Sequence, residues 1–293
     1  MKIDEMSNNN IIIVDKYSEC FPQMLREIKD CPERLFCVGD LELLGTRSIS
    51  IVGSRKTTPY GRTISREISS KIARRGITVV SGMAGGIDSC AHAGALDVEG
   101  KTIAVLGCGV DVCYPKNNWE LRNQIAREGL IISEFEPGTK PEWYNFPQRN
   151  RIISGLSEST IVVQAGVRSG SMITAELAME QGRNVFAVPG NIDSQYNLGS
   201  NKLIKEGITP ILTVGDLFDT INIDPIDEEE AQVLLSDSEK IVYDVLVERG
   251  EMTVDGLCFV TGMAPHIVSK LLTVLELKGI VFDELGKFFV AKK

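Results

Sequence analysis

Ile49-Ser-Ile-Val-Gly-Ser-Arg55, followed by Pro59-Tyr-Gly61, runs from a β-branched stretch through a glycine turn into a segment with Ile64, Ile68 and Ile72 at helical spacing. An apolar run that stops at a glycine is a strand buried on both faces, and proline fits the first position of the helix that follows. Outward from it, residues 78–80, 102–106, 130–133, 160–164 and 184–188 read as further strands with helical stretches between most of them. A weaker strand, 210–214, follows a helical 200–206. Strands alternating with helices at this spacing predict an α/β fold: an extended Rossmann-like parallel sheet with helices on both faces.

Beyond this core, Asp224-Pro-Ile-Asp-Glu-Glu-Glu230 has little to bury and reads as a linker. Residues 239–248, 252–259 and 265–277 then look like three short helices, and 280–284, Gly286 and 287–290 like a two-stranded wing, the outline of a small winged-helix domain. The expected division is an N-terminal extension packing on the core (1–44), the Rossmann-like domain (45–222), an acidic linker (223–236) and the winged helix (237–293).

The chain has 293 residues, 43% hydrophobic and 24% charged, the make-up of a soluble globular protein of two domains. No apolar run approaches the roughly 18 residues of a membrane span, and the Ile11–Val14 patch is too short for a signal-peptide core, so a cytoplasmic location is expected. Seven cysteines with no Cys-x-x-Cys pair and only two histidines match no zinc spacing and read as free, buried thiols in a reducing compartment. Neither a metal nor a cofactor is expected. Net charge −9 argues against nucleic acid until it is divided along the chain. Residues 1–44 carry five Lys/Arg against nine Asp/Glu, residues 45–220 carry 19 against 17, and residues 221–293 carry seven against 14. Only the middle is locally basic, and an electrostatic footprint depends on local charge.

Within that middle, Gly53 lets backbone approach a ligand, Ser54 offers a hydroxyl, and Arg55 presents a fork matched to phosphate beside a helix N-terminus. Gly107-Cys-Gly109 lacks the third glycine of a dinucleotide fingerprint, and no Gly-Lys-Ser/Thr follows Arg55 as a Walker A loop requires. Val80-Ser-Gly-Met-Ala-Gly-Gly-Ile-Asp88 is a second strand-end glycine cluster, where Asp88 is expected to cap a helix and His92 to pack with a local hydrogen bond. Phe146-Pro-Gln-Arg-Asn-Arg-Ile-Ile153, with Lys140, Trp143 and Tyr144 upstream, interleaves cations for phosphate with flat faces for bases. Arg149 and Arg151 are two apart near a helix start, so one is expected to face DNA and the other to brace the loop through an internal acid. Arg168-Ser-Gly-Ser-Met-Ile-Thr174 opens another helix after a strand. Several helix N-termini at strand carboxyl ends make an extended anion-binding rim.

Taken in order, these segments resemble the DNA-processing protein A (DprA/Smf) family. The matching residues are Ile51-Val-Gly-Ser-Arg55, Ser81-Gly-Met-Ala-Gly-Gly-Ile-Asp88 with Ala91-His92 and Ala95-Leu96, Lys101-Thr-Ile-Ala-Val-Leu-Gly107, Tyr114-Pro115 and Ser133-Glu134. They continue with Phe146-Pro-Gln-Arg-Asn-Arg151, Ser169-Gly-Ser-Met-Ile-Thr174, Gln181-Gly-Arg183 and Val188-Pro-Gly190. The resemblance covers roughly residues 21–218, and the tail resembles the family's winged helix. It implies a homodimeric protein that binds single-stranded DNA, protects incoming DNA and loads the RecA recombinase during natural transformation and recombination, countering single-strand-binding protein, without catalysing a reaction. Carried over by motif, the DNA contacts are Gly53, Ser54, Arg55, Phe146, Arg149, Asn150 and Arg151, with Lys116 and Lys140 added. Two departures stand out. Gly85 occupies a position where family members commonly have a basic residue, and the residues before the core leave no room for the small helical domain that some members carry. The competing reading is a nucleoside-monophosphate hydrolase of the lysine-decarboxylase-like Rossmann group. Aligning its Gly-Thr with Gly170-Ser171 leaves only Glu176 as a nearby carboxylate for an oxocarbenium-like transition state.

Overall fold

A computed structural model describes residues 11–221, 236–277, 280–284 and 286–290. The chain divides into two compact units, Met1–Asp224 and Pro225–Lys293. Residues 223–235 of the expected acidic linker lie outside the described residues, as do residues 1–10 of the expected extension and Lys278.

In the first unit the strands are β1 (Ile12–Asp15), β2 (Arg34–Gly39), β3 (Ser48–Val52), β4 (Thr78–Ser81), β5 (Thr102–Val105), β6 (Leu130–Ser133), β7 (Ser159–Val162), β8 (Asn184–Ala187) and β9 (Thr209–Pro210). They form one sheet in the order β1-β2-β6-β5-β4-β3-β7-β8-β9. Every pairing from β6 through to β9 is parallel, with Ile49 between Val79 and Ser159 at the centre. β1–β2 and β2–β6 are antiparallel. The sheet is therefore mixed, and the stretch read from sequence as an extension packing on the core supplies two of its strands. The weak strand at 210–214 is shorter than expected: pairing stops at Pro210, and Thr213 and Asp216 form a reciprocal capping box that turns the chain into a helix.

The helices are α1 (Gln23–Arg26), α2 (Pro59–Arg74), α3 (Ile87–Leu96), α4 (Trp119–Glu128), α5 (Asn145–Leu156), α6 (Gly170–Glu180), α7 (Leu198–Lys205) and α8 (Val214–Thr220). Side chains alternate across a strand, so each strand feeds two cores. Val52, Val80, Val105 and Val162 meet Leu25, Ile152, Ala175 and Leu203, placing α1, α5, α6 and α7 on one face. Ile49, Ile51, Val79 and Ile161 meet Ile68, Ile72, Ile87 and Leu217, placing α2, α3 and α8 on the other. Among the described residues no single helix is long and apolar enough to cross a membrane.

The second unit has α9 (Asp237–Arg249), β10 (Met252–Thr253), α10 (Val254–Thr261), α11 (Pro265–Leu277), β11 (Val281–Glu284) and β12 (Lys287–Val290). Its own core joins Val242, Leu246, Leu257, Val268, Leu272, Leu275 and Val281. Where a two-stranded wing was expected, β12 also pairs with β10 through Met252 and Phe288, giving a three-stranded antiparallel sheet.

The seam between α2 and α3 positions the glycine turns above the sheet. Ser65, Ser69 and Ser70 of α2 donate to the carbonyls of Ile87, Ala91 and Gly94, so the helices touch through small side chains. A methyl at Gly94 would lie 2.3 Å from the Arg66 carbonyl oxygen, a backbone atom that cannot give way. Gly94→Ala should therefore lower the unfolding free energy in urea by about 1–3 kcal/mol. Gly85→Ala, where an added methyl meets nothing within 4 Å, should change it by less than about 0.5 kcal/mol. Equal stability of the two variants would contradict the close seam.

Candidate nucleic-acid interface

The rim is built where β3 ends. Ser54 donates its backbone N–H to the Gln164 carbonyl at 2.7 Å, and its hydroxyl accepts from the Lys56 N–H at 3.2 Å. This tight turn leaves Arg55 and Lys56 exposed, with no acid paired to either among the described residues. Thr58 then caps α2, accepting from Gly61 N–H at 3.2 Å, with Pro59 at the first position. The fully buried Gln164 amide ties the turn down. Its oxygen accepts from the Thr57 hydroxyl at 2.7 Å and the Thr58 N–H at 2.9 Å, and its nitrogen donates to Thr58 Oγ1 at 3.1 Å and Asn197 Oδ1 at 2.7 Å.

Across the rim, the Arg55 guanidinium lies 5.0 Å from the centre of the half-buried Phe146 ring, and Tyr114 packs at 5.4 Å between ring centres. Ser169 caps α6 by accepting from Ser171 N–H, and Arg168 beside it is exposed. Together these groups surround a cleft of about 740 Å³ over the carboxyl ends of the parallel strands. Gly170 and Ser171 line it too, so the positive end of α6 opens into the same space. Trp143, 80% exposed and edge-on to Tyr144 at 5.7 Å, stands at its margin. Asp88 is the single carboxylate lining the cleft among the described residues.

Of the residues expected to contact DNA, Gly53, Ser54, Arg55, Phe146, Arg149 and Asn150 line this one cleft. Lys116 and Lys140 are exposed but do not line it, and neither does Arg151. Glycine at 53 also has a reason within the protein: an added Cβ would lie 2.5 Å from Ile87 Cγ1 on α3 and 2.9 Å from the Gln164 carbonyl just beyond β7.

The expectation that one of Arg149 and Arg151 faces outward is not met, because both are braced inside. Arg151 pairs with Glu134, as foreseen for the bracing member. Arg149 is 3% exposed and donates Nη1 to the carbonyls of Gly82 (2.7 Å) and Val105, and Nε to Asn150 Oδ1 at 3.3 Å. Asn150 in turn donates to the Gly170 carbonyl at 3.3 Å, joining α5 to the start of α6. Sequence reasoning passed over Lys56 and Tyr196, which also line the cleft. Lys56 was legible as the cation next to Arg55; Tyr196 carried no motif.

Beneath the cleft lies a buried titratable cluster. Asp88 does not cap α3; Gly86 holds that position, and Asp88 instead accepts from the Ala84 N–H at 3.4 Å. Burial raises its carboxyl to about 6, against the opposing pull of Arg149. His92 is fully buried, and its Nδ1 donates to Thr102 Oγ1 at 2.7 Å, because that hydroxyl gives its own proton to the Val79 carbonyl. Burial, with Arg149 nearby, lowers the imidazole to about 3, so it is neutral at pH 7.

The sequence matches the DNA recombination-mediator protein A family over residues 11–222. The chain belongs to that family. It is 44% identical over 205 residues to the DNA processing protein DprA of Bacillus subtilis, a match covering 70% of this chain and 69% of the relative. It is 44% identical to the protein Smf of Escherichia coli across 69% of this chain and 54% of that one, so the match spans about half of the longer relative. Among solved structures, DprA from Streptococcus pneumoniae superposes with a TM-score of 0.69 at 41% identity, covering 72% of this chain and 74% of that one. A Helicobacter pylori structure described as revealing the single-stranded DNA binding mode of DNA processing protein A gives 0.65 at 33% identity, covering 71% and 98%.

Gly85 faces open space: a Cβ added there would meet nothing within 4 Å, so a side chain at this position is sterically free. All seven cysteines are unpaired, and Cys37 and Cys108 alone are fully buried, fewer than expected. Among the described residues no group of three His, Cys, Asp or Glu side chains is placed to hold a metal.

The buried cluster has a consequence for stability between pH 7 and pH 5. His92 has its folded pKa below the unfolded one, so the unfolded chain takes the proton first and its share of stability falls by about 2 kcal/mol by pH 5. Asp88 has its folded pKa above the unfolded one, so the folded protein takes the proton first and gains about 1 kcal/mol over the same interval. On acidification from pH 7 to 5, His92→Asn should therefore gain stability and Asp88→Asn should lose about 2 kcal/mol, measured by urea unfolding at each pH. Identical pH slopes for the two variants would contradict the assignment.

Proposed function

We propose that this member of the DNA recombination-mediator protein A family binds single-stranded DNA in the cleft, protects it and delivers it to the RecA recombinase, displacing single-strand-binding protein and acting as a homodimer. The observation that carries this reading is the exposed Arg55 guanidinium stacked on Phe146, flanked by Lys56 and Arg168. It offers a cation for phosphate and a ring for a base at one point, the combination that suits a single strand. The Helicobacter pylori relative, whose single-stranded DNA binding has been described, supports the same assignment. Among the expected contacts, Ser54, Arg55 and Phe146 meet the strand, Lys116 and Lys140 extend the positive field around it, and Gly53, Arg149, Asn150 and Arg151 hold the rim in shape.

The binding is non-catalytic in this reading. Glu176 is exposed on α6 and does not line the cleft, and Asp88 is buried in its floor. An oxocarbenium-like transition state would lack a facing carboxylate pair. Release of free base from a nucleoside monophosphate, lost in Glu176→Gln, would favour the hydrolase reading instead.

A salt series on oligothymidylate tests the site. Arg55→Ala should flatten the log-affinity against log-salt slope by about 0.7. Phe146→Ala should cost about 1–3 kcal/mol with little change of slope. Arg149→Ala strands the Gly82 and Val105 carbonyls, so its effect should appear as lost stability in urea. Folded Arg55→Ala protein with wild-type affinity and slope would defeat the proposal.

The second unit is assigned a protein-contact or packing role rather than that of a DNA reader. Residues 236–293 carry nine acidic and seven basic side chains, and α11 offers Lys270 as its cation. Truncation after Asp224 should leave single-strand affinity within a few fold; a hundredfold loss would place the second unit in the DNA site.

A further inference from the structure

A second groove of about 550 Å³ shares Arg55, Lys56 and Tyr196 with the cleft and continues past the rim over the first turn of α2. Its wall adds Arg62 and Cys90, and none of its lining residues is acidic among the described residues. Arg62 is exposed, makes no ion pair among the described residues, and donates Nη1 to the Thr57 carbonyl at 3.1 Å, which steadies the guanidinium against the turn. One helical turn further on, Arg66 is paired with Asp97 through both Nε and Nη2, so the cations at the rim that face no acid, Arg55, Lys56 and Arg62, do not extend to it. Tyr196 sits half-buried where the two spaces meet, an aromatic face at the junction.

Building on the single-stranded DNA reading, we propose that a strand longer than the cleft continues into this groove, its phosphates meeting Lys56 and Arg62 and one base facing Tyr196. The cleft holds the end-independent part of the site, and the groove adds affinity only for strands long enough to reach it. Arg62 is therefore a length-sensing contact and Cys90 a reporter lying under the strand.

The test compares oligothymidylates of about four and about twelve nucleotides, within the usual span of a single-strand site. Against the longer strand, Arg62→Gln should weaken binding several-fold and flatten the salt slope by about 0.7, and Arg62→Lys should restore the slope. Against the shorter strand both variants should behave as wild type. Alkylation of Cys90 by iodoacetamide, read by peptide mass spectrometry, should be slowed by the longer strand and not by the shorter. No loss in Arg62→Gln, or equal losses at both lengths, would overturn the groove; the latter would mean that Arg62 acts only by steadying Thr57. If Arg55→Ala weakens binding while Arg62→Gln and Cys90 are insensitive to length, the groove alone fails. If Arg55→Ala has no effect at either length, the single-stranded DNA reading fails with it.

Discussion

The rim depends on one buried amide. Gln164 leaves β7 just where the sheet meets solvent, and its side chain uses both donors and its acceptor on Thr57, Thr58 and Asn197. Its backbone carbonyl holds Ser54 as well. An unpaired amide in such a place costs more than a paired one gains, so the three loops it joins stand or fall together. The close steric fit around it points the same way: a Cβ at Gly61 would lie 2.5 Å from Gln164 Oε1, and one at Gly86 would lie 2.4 Å from the Ser54 carbonyl. Arg55 is thus an exposed side chain on a fixed base, which lowers the ordering cost of meeting an anion.

The arrangement separates cations by task. Arg149, Arg151 and Arg66 are spent on carbonyls or carboxylates of the protein itself. Arg55, Lys56 and Arg168 are exposed without such partners among the described residues, and Arg62, held by one bond to the Thr57 carbonyl, is exposed with no carboxylate beside it there. This division reconciles a net charge of −9 with a basic cleft, because the field at the rim is set by the few charges left uncompensated there.

Much of the sheet was legible because central parallel strands are buried on both faces and read as unbroken β-branched runs; Leu130–Ser133 has the bounds expected. The strands Ile12–Asp15 and Arg34–Gly39 were not recognised. Their pairing is antiparallel and, for the second, with a strand far along the chain, so no local alternation announces it. The site was legible to the extent that motif residues converge on it. What the sequence could not reveal was whether an arginine points at solvent or at a carbonyl. Arg149 and Arg55 belong to equally recognisable motifs, and only the three-dimensional placement of Gly82 and Val105 separates them.

The place of β2 against β6 has a consequence in time. The residues 34–39 leave the ribosome well before the residues 130–133 that must flank them in the sheet. At synthesis rates of about 5–20 residues per second, the β1–β2 hairpin waits on the order of 5–20 seconds for its neighbour. Isolated two-stranded hairpins are marginal in water, and this one carries exposed Ile12 and Ile13. The hairpin is accordingly not locked into the sheet until β6 has been made, and until then it is in need of shielding from other nascent chains.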